Sequence, residues 1–78
     1  MLERLVPKQC RIEIWLNSGQ RIGVFLARPD WERRELVVSS PEVFHRVKSL
    51  LADRLSGSYV FVVSGRVTLE GWTVRVQE

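Results

Sequence analysis

The sequence predicts a small, mainly β domain with a single amphipathic helix, in the order strand, strand, strand, helix, strand, strand. Three observations predict it. Apolar residues alternate with polar ones from Arg11 to Asn17 and again from Gln20 to Arg28, the period of a half-buried strand. Val43, Phe44, Val47, Leu50, Leu51 and Leu55 recur at helical spacing as one apolar stripe. Tyr59, Phe61, Val63, Gly65, Val67 and Leu69 all fall on odd positions, which keeps them on one face of an extended chain.

The elements follow in order. In the first strand Ile12, Ile14 and Leu16 share one face, and Arg11, Glu13 and Trp15 the other. Asn17-Ser18-Gly19 reads as a three-residue hairpin loop with Gly19 left-handed. Continuing the alternation puts Ile22, Val24 and Leu26 inward, with Ile14 opposite Ile22 and Ile12 opposite Val24. A polar connection through Pro29 and Asp30 leads to a short third strand, Glu35 to Ser39. Ser40-Pro41-Glu42 then starts the helix. The serine caps free N–H groups, the proline suits the first helical position, and the glutamate faces the positive end of the dipole. Gly57 is the expected stop. Tyr59 to Leu69 is read as one long strand bent at Ser64-Gly65. A two-residue turn at Glu70-Gly71 returns it into a last strand, with Leu69 facing Trp72 and Val67 facing Val74.

This element order is similar to that of the OB-fold, a five-stranded antiparallel barrel with a helix between its third and fourth strands. The resemblance is one of order, and no family motif accompanies it. An open five-stranded antiparallel sheet with the helix packed on one face has the same order. Residues 1–9 form an N-terminal segment and residues 10–78 the single β-rich domain.

Composition narrows the function. At 78 residues, 45% apolar and 27% charged, the chain suits one folded core and a stability of about 4–8 kcal/mol. Its longest strongly apolar run is Tyr59 to Val63, far short of the ~20 residues of a membrane helix. The single cysteine excludes an internal disulfide and fits a reducing cytoplasm. One His and one Cys, Cys10 and His45, cannot assemble a conventional zinc site. No glycine-rich phosphate loop is present. A non-enzymatic binding module without a cofactor is expected.

Two surfaces are candidates for binding. On the outer face of the first hairpin, the loop sets Trp15 opposite Arg21 and Arg11 opposite Phe25, so each ring can stack on a guanidinium. In the last hairpin, Arg66 falls opposite Arg75, a like-charged pair that an anion would relieve. Trp31, beside Arg33 and Arg34, is a third candidate, as a loop anchor or an exposed contact. Alternating rings and arginines serve single-stranded nucleic acid, where rings stack on bases and arginines meet phosphates. The same side chains serve protein interfaces. A net charge of +3, spread evenly, lacks the concentrated basicity of nucleic-acid binders. The expectation is therefore a protein partner with an acidic or apolar surface, or self-association. Single-stranded nucleic acid is the alternative.

Overall fold

The computed structural model describes residues 9–52 and 59–77; the predicted stop at Gly57 lies outside them. β1 (Cys10–Leu16) and β2 (Arg21–Asp30) form the expected first hairpin. The Leu16 N–H donates to the Gln20 carbonyl at 2.8 Å, and the Gly19 N–H to the Leu16 carbonyl at 2.9 Å. Gly19 has φ 97°, the conformation that glycine adopts at least cost.

Beyond the loop the register departs from simple alternation. Trp15 lies opposite Arg21, but Ile14 lies opposite Gly23, so Ile22 is an extra residue in β2. A one-residue bulge moves every side chain beyond it to the other face. Phe25 therefore turns inward and is 5% exposed, while Val24 and Leu26 turn outward at 43% and 57%. This corrects the inward set of β2 read from the sequence. Phe25 sits opposite Ile12 and meets Phe61 edge-on at 6.0 Å between ring centroids. The bulge also sets half-buried Gly23 opposite Ile14, on the side facing the helix. A Cβ there would come within 2.8 Å of Leu50 Cδ1 and 3.5 Å of Ile14 Cδ1. Gly23 thus lies directly under the Leu50 side chain of the helix.

Asp30 shapes the next turn, its Oδ1 accepting the N–H groups of Glu32 and Arg33 at 3.2 Å each, the local bonding that suits Asp to turns. β3 (Glu35–Val38) returns antiparallel to β2. Leu36, Val37 and Val38 are all buried, as befits a strand with a neighbour on each edge. α1 (Pro41–Ala52) begins where the capping residues predict. Ser40 Oγ accepts the Val43 N–H at 3.2 Å, and the Ser40 carbonyl accepts the Phe44 N–H at 3.1 Å. Val47 is buried, and Val43, Phe44, Leu50 and Leu51 pack against the core, so the predicted stripe from Val43 to Leu51 is the buried face of the helix; its last member, Leu55, lies outside the described residues.

The second half of the chain differs from expectation. Tyr59 to Leu69 is a hairpin, not one bent strand: β4 (Tyr59–Val63) and β5 (Val67–Leu69) pair antiparallel. Ser64 and Gly65 both take positive φ, 51° and 71°, and the Arg66 N–H donates to the Val63 carbonyl at 2.9 Å. The ladder sets Val63 opposite Val67 and Phe61 opposite Leu69. A loop of three residues preserves parity, so Phe61, Val63 and Leu69 all remain inward and buried. Val67, also expected inward, is instead 44% exposed, because β5 is an edge strand and does not pair with the strand that carries Val74.

β6 (Thr73–Val76) does not pair with β5. It runs parallel to β3, with Leu36 opposite Val74 and Val38 opposite Val76. The sheet is thus six-stranded and mixed, in the order β5-β4-β1-β2-β3-β6, where a five-stranded antiparallel sheet was expected. Its two edge strands are joined by Glu70, Gly71 and Trp72 alone. Laid flat, six strands would put their edges about 24 Å apart. The four steps from Leu69 to Thr73 reach at most about 14 Å. The sheet must therefore curl, and it forms a half-barrel. Leu69, at the end of β5, and Trp72, from this connection, enter the core alongside Ile12, Ile14, Leu36 and Val38.

Candidate binding surface

The outer face of β1 is organised around one carboxylate. Trp15 Nε1 donates to Glu13 Oε1 at 2.7 Å. The other oxygen, Oε2, lies 3.4 Å from Arg21 Nη1 and 3.6 Å from Arg11 Nη2. The Glu13 side chain is only 12% exposed. The indole hydrogen bond first, then the charges of Arg21 and Arg11, hold its carboxyl below the usual carboxylate range, with desolvation working the other way. Trp15 is half-buried beside its cross-strand neighbour Val60. The ring–guanidinium pairing expected here gives way to a carboxylate bridge: Trp15 and Arg21 face each other in register, and Glu13 binds both.

The remaining predicted residues are dispersed. Phe25 is in the core, so it cannot join Trp15 on the outside. Arg66 is exposed at the β4–β5 turn. Arg75, on β6, donates through Nε to Glu35 Oε1 at 2.9 Å. Because β5 and β6 occupy opposite edges of the strand order, the expected Arg66–Arg75 cross-strand pair does not form. Trp31 is 59% exposed yet leans edge-on against buried Trp72, 5.0 Å between centroids. It is an anchor that leaves one face in solvent. Arg33 and Arg34 are exposed in the same turn, Arg34 with φ 57°. His45 is exposed on α1, edge-on to Phe44 at 5.8 Å.

A concavity among the described residues lies elsewhere. A groove of about 430 Å³ is lined by Gln9, Arg11, Val24, Phe25, Leu26, Ser39, Val43 and Arg46, within the size range of ligand sites. Val24 and Leu26 come from β2, and Val43 and Arg46 from the first turns of α1. β2 and β3 pair only from Arg28 to Asp30, and after Val38 the chain leaves for the helix. That departure opens the space. Arg46 is exposed and makes no ion pair with any described residue.

Val24, Leu26 and Arg46 were not among the predicted site residues. One signal did point to them: a lone glycine inside an alternating strand, here Gly23, marks a bulge. Among the described residues no group of three or more His, Cys, Asp or Glu is placed to hold a metal, and no helix is long and apolar enough to cross a membrane. Comparison with known proteins finds no matching family, no matching curated protein and no matching solved structure.

Proposed function

We propose that this chain is a non-enzymatic protein-interaction module that docks an acidic, partly apolar partner in the groove between β2 and α1. The observation that carries this reading is the pair Val24 and Leu26, 43% and 57% exposed, side by side in a concavity that Arg11 and Arg46 also line. Apolar side chains grouped at an exposed site mark contact surfaces. The Arg46 guanidinium beside them, which makes no ion pair with any described residue, selects carboxylates. The single cysteine fits a reducing compartment such as the cytoplasm.

We read the half-barrel as OB-like, with β5 as an added strand. The helix between the third and fourth strands and the curled sheet support that reading. Single-strand nucleic-acid binding draws less support. It needs unpaired arginines and open rings on one face, whereas Glu13 engages Trp15, Arg11 and Arg21 together and Glu35 engages Arg75.

Selection from a displayed library of random peptides tests the proposal. Enriched sequences are expected to combine acidic and apolar residues, and to lose binding to the Leu26→Ala and Arg46→Glu variants, whose changes lie on the surface. Enrichment that survives both variants overturns the site. Tighter binding of a labelled oligothymidylate than of any selected peptide overturns the partner class.

A further inference from the structure

We infer that the groove takes its partner as an added β-strand on the free edge of β2. This deepens the docking reading above and rests on it. The argument begins with the direction of backbone groups. The Arg11 carbonyl accepts the Ser64 N–H at 2.8 Å, so Arg11 turns its polar backbone toward the β4 side of β1. In an antiparallel ladder that direction alternates residue by residue. Glu13 therefore faces the same way as Arg11. Val24, opposite Glu13, and Leu26, opposite Arg11, are then the non-hydrogen-bonded positions of the β1–β2 pair. Their N–H and C=O groups point away from β1.

On that side β3 covers β2 only at Arg28, Pro29 and Asp30. The lane beside Val24 and Leu26 holds no strand among the described residues. Two N–H and two C=O groups thus face the groove on the residues whose side chains are exposed there. A row of unpaired backbone groups is a template for another chain, and strand addition uses it for affinity while side-chain pockets set specificity.

The occupant is an extended segment of another protein that alternates apolar and acidic residues. Its apolar side chains would lie beside Val24 and Leu26, and its carboxylates would meet Arg46, which no described residue pairs. A second copy of this chain fits less well. Two-fold pairing of β2 with itself would bring the unpaired Arg46 of both copies to one seam, and like charges there repel.

The test is amide hydrogen exchange by NMR on the labelled chain, with and without an eight-residue peptide alternating valine and glutamate. Two variants accompany it. Leu26→Ala shortens the side chain and keeps the N–H. Leu26→Pro also removes the N–H, at an edge position where proline is tolerated. Peptide is expected to slow exchange at Val24 and Leu26, and Leu26→Pro to bind about fivefold more weakly than Leu26→Ala, as one lost hydrogen bond implies. Shifts at Val43 and Arg46 with unchanged exchange at both amides, and equal binding by the two variants, would overturn strand addition and leave groove docking standing. No shift at any groove residue would remove both. Slow exchange at both amides before peptide is added, in the monomer or growing with concentration, would show the lane already filled and overturn the proposal.

Discussion

Replacing Phe25 and Leu26 by alanine, one at a time, separates two descriptions of β2 that differ by a single residue of register. Phe25 is 5% exposed and packs edge-on against Phe61. Removing a buried phenylalanine ring costs about 3–5 kcal/mol, in lost transfer energy and the cavity left behind. Against a total near 4–8 kcal/mol for a domain of this size, Phe25→Ala leaves the fold marginal. Leu26 is 57% exposed on the opposite face. Its truncation removes little buried area, and surface changes of that kind fall within about 0.5 kcal/mol. Urea unfolding followed by far-ultraviolet circular dichroism measures both, with equal slopes required for the comparison. If Leu26→Ala destabilises more than Phe25→Ala, or if Phe25→Ala costs less than about 1 kcal/mol, the bulge at Ile22 is misplaced and the groove with it.

Other outcomes follow from the same geometry. Gly23→Ala brings a methyl within 2.8 Å of Leu50 Cδ1. That atom ends a flexible, half-buried side chain, so a rotamer adjustment of about 0.5–1.5 kcal/mol roughly offsets the ~0.4–1 kcal/mol gained from a stiffer unfolded chain, and the urea midpoint is expected to move little; a large loss would show that Leu50 cannot shift. Ser40→Ala loses the cap on the Val43 N–H and costs about 1 kcal/mol in the same assay. Glu13 has a lowered carboxyl pKa in the folded chain. Its contribution to stability is present above the unfolded value of about 4.3 and is lost as pH falls through the lowered folded value. Glu13→Gln is therefore expected to reduce stability at neutral pH and to flatten the acid side of a urea-midpoint against pH series. An unchanged slope would show that the bridge to Trp15, Arg21 and Arg11 carries no linkage.

Local chemistry was legible in the sequence, and long-range pairing was not. Gly19, the Ser40 cap and the stripe from Val43 to Leu51 each depend on neighbours within a turn or two, and each stands where the spacing puts it. Phe61, Val63 and Leu69 also stay inward, because a three-residue loop conserves parity whether the chain bends or reverses, while Val67, of the same parity, is exposed on the edge strand. The β2 face was misread because Val24, Phe25 and Leu26 are all apolar, so hydropathy does not say which face holds the core. The local sign of the shift is the lone glycine beside it, Gly23. Gly71 does take the positive φ of a turn residue, 78°, yet the strand it introduces joins β3 at the far edge. Only the curl of the whole sheet determines that. The candidate site shifted for the same reason: the bulge buried Phe25 and exposed Leu26, and a carboxylate between two arginines tied down the ring expected to be available.

Register across the first hairpin is the point on which the groove, its exposed side chains and its free backbone groups all depend. It can be read from Hα–Hα nuclear Overhauser effects, since non-hydrogen-bonded antiparallel pairs bring their Cα atoms to about 4.5 Å. The structure predicts strong contacts between Glu13 and Val24 and between Arg11 and Leu26. Strong contacts instead between Glu13 and Gly23 and between Arg11 and Phe25, the unbulged continuation of the Trp15–Arg21 pair, would contradict it.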